Sequence, residues 1–315
     1  MNKWNQQARK VLKGANQSNE FFNTQVFSDH KFPIKIPLEY AQLIDPNNPN
    51  DPLLKQVLPQ IQGVDNAYSL SPLNDEQHSP VDGLIHKYPN RVLLITSQVC
   101  AIHCQYCFRQ NFDYTQHDAL SNWPAVEAYI EKQLAVNEVI LSGGDPLSLS
   151  DEKLEQLIKK IENFKHITTL RIHSRSIVVI PSRITAKLEK ILAKTRLKVV
   201  LVTHINHANE LSSAFCKNIE KIENVTLLNQ SVLLKGVNDN LDTLTKLSLE
   251  LFSAGILPYY LHMLDKVKGA EHYFVTDEKA LKLHRQLQAK LSGYLVPKLV
   301  RDQGESAKTW LYHIQ

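Results

Sequence analysis

The sequence predicts an α/β fold, an open and partial (β/α)6 barrel that is TIM-like in plan. Three observations lead there. Six short apolar runs rich in β-branched residues recur from residue 91 onward, each followed by a stretch with helical spacing. The connections are short, which implies parallel neighbours joined by right-handed crossovers. A closed barrel of this kind needs eight units, so six leave the sheet open.

The expected strands are Val92–Thr96, Val139–Ser142, Leu170–His173, Val199–Thr203, Thr226–Leu234 and Ile256–His262. Helices are expected over Trp123–Val136, Asp151–Phe164, Ile184–Thr195, Glu210–Ile222, Leu241–Ala254 and Asp277–Leu291. Ser150 is placed to cap the second helix, and Pro124 sits near a helix start, where its missing N–H is harmless. Residues 1–85 carry no repeated pattern and are rich in Asn, Gln and Pro, with a turn-laden stretch from Leu43 to Pro52. They predict an N-terminal extension of small helices, with Ala8–Leu12 and Leu53–Leu58 as candidates. The barrel is assigned to 86–293. A C-terminal segment, 294–315, opens with an extended piece over Tyr294–Val300.

Composition narrows the function. The chain is 43% hydrophobic and 22% charged, as soluble proteins are, and its net charge of +4 makes no basic stripe for nucleic acid. No apolar run approaches the roughly 20 residues that span a bilayer, and the first residues lack a signal peptide's apolar stretch. The expected setting is cytoplasmic, without a membrane. Of four cysteines, three fall within eight residues, which suits reduced thiolates on a metal rather than a disulfide framework. Cys216 lies on an expected helix and reads as inert.

In barrels of this kind the functional groups sit where the strands end. Cys100 follows the first expected strand, Gly143-Gly144-Asp145 the second, Ser174-Arg175 the third, His204 the fourth and Asp265 the sixth. All fall on one rim. The spacing Cys100-x3-Cys104-x2-Cys107 supplies three thiolates, which hold three irons of a 4Fe–4S cluster and leave the fourth iron open. Structural zinc is the alternative, with His103 or His117 as its fourth ligand.

With Tyr106 before its last cysteine, the triplet resembles the signature of the radical S-adenosylmethionine superfamily. The run Leu141-Ser142-Gly143-Gly144-Asp145-Pro146 is similar to that superfamily's glycine-rich motif. A narrower resemblance covers roughly residues 30 to 310. The segments Tyr88-Pro89-Asn90-Arg91-Val92, Cys107-Phe108-Arg109, Ser174-Arg175-Ser176, Thr203-His204-Ile205-Asn206-His207, Asn229-Gln230-Ser231 and Gly293-Tyr294-Leu295-Val296-Pro297 resemble lysine 2,3-aminomutases.

The resemblance implies a 4Fe–4S cluster on the three cysteines and S-adenosylmethionine on the open iron, near Tyr106, Ser142, Gly143, Gly144 and Asp145. It also implies pyridoxal 5′-phosphate anchored on Lys308, the lysine in Lys308-Thr309 after Gln303-Gly304-Glu305-Ser306-Ala307, with Lys298 as a rival. Arg175 is the implied phosphate partner, with Lys87, Tyr88 and Arg91 beside it, and Gln230 is a further cofactor contact. Arg109 matches the residue that binds the substrate carboxylate; Asp265 and Asp302 match the pair that binds an ammonium. Asp302 stands one residue closer to Lys308 than the family has it. The chain ends without the cysteine-bearing extension of the catabolic enzymes, and so resembles the short bacterial aminomutases that supply (R)-β-lysine for elongation factor P. That implies L-lysine as substrate, a flavodoxin or ferredoxin as electron donor, a downstream β-lysine ligase and a possible homodimer. A glutamate 2,3-aminomutase is the rival enzyme; a zinc-binding interaction module is the rival of another class.

Overall fold

The computed structural model describes residues 3–60, 67–112, 114, 117–302 and 308–311. Near the N-terminus, β1 (Val11–Lys13) and β2 (Lys35–Pro37) pair antiparallel. The main sheet comprises β3 (Leu84–Tyr88), β4 (Arg91–Ser97), β5 (Glu138–Gly143), β6 (Thr169–Ser174), β7 (Lys198–His204), β8 (Val225–Val232), β9 (Leu257–His262), β10 (Lys298–Arg301) and β11 (Thr309–Trp310). They lie side by side in chain order. Strands β4 to β10 run parallel, and antiparallel β3 and β11 finish the two edges. The sheet remains open, as the strand count predicted.

All six expected strands are present. The parallel run has a seventh member, because Lys298–Arg301 pairs with β9 instead of ending the chain as an isolated extended piece. The N-terminal expectation needs correction. Ala8–Leu12 is not helical; the helix covers Lys3–Gln7, and Val11 begins a strand. Of Leu53–Leu58 only the start is helical, in Pro52–Lys55, where the Asp51 carboxylate accepts the Leu53 and Leu54 N–H groups. The expected helices after the strands are all found, each ending short of its expected limit. Five of the six starts are fixed by side chains that accept an orphan N–H: Ser150 from Lys153, Thr185 from Leu188, Ser212 from Phe215, Asn240 from Thr243 and Thr276 from Lys279.

Alternation along the strands divides the protein into a packed outside and a hollow inside. On β5, β6 and β7, Val139, Leu141, Leu170, Ile172, Val199 and Leu201 face outward. They are buried with Leu154, Leu157 and Leu188 of the helix layer. The intervening residues, Ile140, Ser142, Arg171, His173, Val200 and His204, line an interior cavity. A closed TIM barrel fills this space with branched side chains; here it is open, and charged and imidazole side chains stand among the apolar ones. The N-terminal residues build a core of their own around Ile36, Tyr40 and Leu53, which continues onto Ile102 of the cysteine loop and onto Val179 and Ile180. No described helix is long and apolar enough to cross a membrane.

Candidate active site

The cavity has a volume of about 910 Å³ and takes in both the barrel interior and its C-terminal rim. Its wall includes Cys100, Cys104 and Cys107 together with Ser142, Gly143, Gly144, Asp145, Arg109, Arg175 and Gln230. It also includes Lys87, Tyr88, Arg91, Asp265, Asp302 and Lys308. Every site residue predicted from the sequence therefore borders one space. Lys298 is not part of this wall, and its ammonium lies over the rings of Tyr259 and Trp310.

At one end stands the cysteine loop. It leaves β4 and is held by the Cys107 N–H donating to the Cys104 carbonyl at 3.0 Å. The Lys35 ammonium donates to the Cys100 carbonyl at 2.6 Å. Burial first, and then the neighbouring thiols, push Cys107 up to about 12 and raise Cys100 as well. Only a bound cation would draw these protons off near neutrality. Among the described residues no three His, Cys, Asp or Glu side chains converge on a single ion. His103 Nδ1 donates to the Pro33 carbonyl at 2.7 Å and its ring stacks on Phe32, so that nitrogen is already engaged. Three thiols that share a loop without sharing an ion suit a cluster, where each holds a separate iron.

Gly143 and Gly144 pack that loop against its neighbour. Gly143 has φ +120°, and a Cβ on Gly144 would lie 2.7 Å from the Val99 carbonyl oxygen. The Gly144 and Asp145 N–H groups donate to the carbonyls of Ser97 and Val99 at 2.7 and 3.0 Å. The glycines thus serve close approach of backbone to backbone. Asp145, expected to touch a cofactor, lines the cavity and braces the rim. Its buried carboxylate accepts from the Leu147, Arg175 and Ser176 N–H groups and the Ser174 hydroxyl, at 2.7–2.9 Å for the shortest contact of each.

Arg175 is likewise engaged by protein. Its guanidinium is buried with both terminal nitrogens bonded to protein, and only Nε is left buried without a partner. Nη2 donates to Glu210 at 2.8 Å, Gln56 at 2.9 Å and Tyr40 at 3.3 Å, and Nη1 donates to the Cys104 sulfur at 2.9 Å. Nη1 also contacts the Tyr106 hydroxyl, which accepts from Asn206 Nδ2 at 2.7 Å. Tyr106 therefore belongs to this buried network.

At the other end the charges are few and close together. Asp302 lies between two lysines, 3.1 Å from Lys87 Nζ and 3.4 Å from Lys308 Nζ. The Lys308 N–H donates to the Tyr88 hydroxyl at 2.9 Å, and its ammonium sits over the Tyr260 ring. Burial lowers its pKa against the pull of Asp302, which frees more of the nucleophilic amine. Asp265 has its pKa raised to about 7, by burial first and by Asp302 second. Arg91 stacks 3.6 Å above the Tyr88 ring. The glycine-bearing run 303–307 before Lys308 lies outside the described residues.

Sequence reasoning missed several wall residues. Asp75 accepts from Arg109 Nε at 2.9 Å, while Arg109 Nη1 reaches Ser142 Oγ at 3.4 Å. Arg171 forms a two-pronged pair with Glu138, at 2.9 and 2.7 Å. Burial lowers His173 and His262 and takes His204 to about 3, so all three are neutral. The Nε2 atoms of His173 and His262 are buried without a partner. Two orphaned nitrogens on a cavity wall near Lys308 fit a polar ligand there. The inward period of β6 and β9 is the signal that points to these histidines.

An open α/β barrel whose first parallel strand ends on this loop defines an iron–sulfur enzyme. Residues 90–210 match the family described as 4Fe-4S single cluster domain. The chain is 44% identical to L-lysine 2,3-aminomutase of Haemophilus influenzae, covering 95% of this chain and 90% of that one. It is 46% identical to L-lysine 2,3-aminomutase of Escherichia coli K12, covering 88% and 83%. Against the Clostridium subterminale enzyme of the same name, identity is 39% over 86% and 66%. A solved radical SAM methyltransferase from Sphaerobacter thermophilus is 15% identical over 69% of this chain and 68% of that one, with a TM-score of 0.47. This chain belongs to the L-lysine 2,3-aminomutase family.

Proposed function

We propose that the protein converts (S)-α-lysine to β-lysine by moving the amino group from C2 to C3. The observation that carries this reading is the shared cavity, with Lys308, Asp265 and Asp302 in the same wall as the cysteine loop. The cluster with S-adenosylmethionine would supply a hydrogen-abstracting radical, and pyridoxal phosphate the conjugated system over which the amino group migrates.

The residues divide the remaining work. Cys100, Cys104 and Cys107 hold the cluster, and the Ser142–Gly144 backbone shapes the adjoining S-adenosylmethionine site together with Gln230. Lys308 anchors pyridoxal phosphate, its phosphate group falling to Lys87, Tyr88 and Arg91 now that Arg175 is otherwise engaged. Arg109, steadied by Asp75, takes the substrate carboxylate. Asp265 and Asp302 take the distal ammonium, a role that argues against glutamate, whose second carboxylate they would repel. The cavity walls hold the reacting carbons in place.

The product's use is a finer proposal. The chain matches 90% and 83% of the length of the Haemophilus and Escherichia relatives but 66% of the clostridial one. Its resemblance to the short bacterial enzymes supports (R)-β-lysine made in the cytoplasm for modifying elongation factor P, with reduction by a flavodoxin or ferredoxin.

Anaerobically reconstituted protein given (S)-lysine, S-adenosylmethionine, pyridoxal phosphate and dithionite is expected to form β-lysine. Glutamate in its place is expected to give none. A loaded cluster that leaves lysine unchanged would sink the reading.

A further inference from the structure

The buried network around Arg175 holds a cation against one of the cluster cysteines. Arg175 Nη1 lies 2.9 Å from the Cys104 sulfur, within reach of an N–H···S hydrogen bond. The other arm of the guanidinium is fixed by Glu210 at 2.8 Å and Gln56 at 2.9 Å. Glu210 is itself wholly buried and accepts from the Asn206 and His207 N–H groups at 2.8 and 3.1 Å. A lysine could not do both jobs, because only the planar fork presents donors to two anions on separate sides. The arrangement is more than packing requires. Replacing a buried ion pair by apolar groups is often neutral for stability, so the retained charge calls for another use.

We propose that Arg175 is a positioning residue that raises the reduction potential of the cluster by donating to Cys104. Reduction adds one negative charge to a site already crowded with thiolates. A fixed cation and an N–H···S bond favour the more negative state, and both act strongly in a dry interior. Glu210 keeps the guanidinium aimed while offsetting part of its charge. The electron comes from a low-potential one-electron donor, and Arg175 makes that transfer less uphill. Tyr40 and Gln56 bring the N-terminal extension into the same network, so that region helps to set the potential. The inference rests on the cluster assignment alone, and its readout needs no substrate.

The test is an anaerobic redox titration of the reconstituted protein, followed by the spectrum of the reduced cluster, with iron and sulfide measured per chain. Arg175→Met alone would strand Glu210, so the variants are R175M/E210Q and R175K. The bond to Cys104 is stronger in the reduced state, so at a given potential the reduced-to-oxidised ratio is expected to fall about tenfold in R175M/E210Q, about 59 mV for one electron. R175K should shift the same way by less. A fully loaded variant with the wild-type potential overturns the proposal. Failure of both variants to assemble a cluster also overturns it, in favour of a purely structural role. Loss of β-lysine formation with an unchanged potential would count against Arg175 as tuner while leaving the aminomutase reading untouched.

Discussion

Asp145 at the cysteine end of the cavity accepts from four protein donors, whereas Asp302 at the lysine end has two lysines and the pKa of Asp265 is held high by burial first and by Asp302 second. The contrast extends to the backbone. Around the cysteines the loops interlock closely enough that a methyl group on Gly144 would collide with Val99. Around Lys308 the chain is a strand edge, and the neighbouring charges are satisfied mostly by one another. A site that must hold a cluster in one place needs rigid walls in advance. A site that takes up and releases a charged amino acid needs groups whose partners can be exchanged.

Four substitutions probe that division. The largest effect is expected for Lys308→Ala, which should abolish the visible absorbance of bound pyridoxal phosphate and all turnover while leaving iron content unchanged. Lys298→Ala should keep both, because Lys298 lies outside the cavity. Loss of absorbance in the second variant alone would reverse the assignment.

Asp265→Asn comes next. Asp265 has a folded pKa of about 7, above its ordinary 3.8, so the ligand-free protein loses stability as pH rises between those values. The amide should therefore raise the melting temperature at pH 8 and hardly change it at pH 4. It should also raise KM for lysine on the order of 100-fold, the cost of one charge-assisted contact. The wild-type KM should itself increase as pH falls below about 7, as Asp265 protonates. Flat KM against pH would remove Asp265 from the ammonium site.

The smallest effect is expected for Gly144→Ala at the rigid end. Backbone must shift to admit the methyl, at about 1–3 kcal/mol of stability. Denaturant melts and cluster loading should fall together, with KM for lysine unchanged in the molecules that load. A selective rise in KM would mean that the two ends are not independent.

Much of this was legible in the sequence. Parallel strands buried on their outer face advertise themselves by β-branched runs, and the rim rule then placed Cys100, Gly143, Arg175, His204 and Asp265 together. The edges were less legible. Strand β3 (Leu84–Tyr88) reads as Leu-Ile-His-Lys-Tyr, too short and mixed to stand out, and the same holds for β1 and β11. The resemblance supplied Lys308, whose place no periodicity reveals. Arg175 was assigned to a phosphate on residue type, which says nothing of its protein partners. Its true partners, Tyr40, Gln56 and Glu210, lie 135, 119 and 35 positions away, and only folding brings them in. Asp75 escaped for the same reason, since its short helical turn sits in a stretch without pattern.

The claim on which the rest depends is that the cluster end and the lysine end serve one reaction in one cavity. Lysine deuterated at C3 tests it directly under anaerobic turnover. Deuterium is predicted to appear in 5′-deoxyadenosine and to return to C2 of the β-lysine formed. Cleavage of S-adenosylmethionine with no deuterium in 5′-deoxyadenosine, while the lysine stays bound and unlabelled positions stay unchanged, would contradict it.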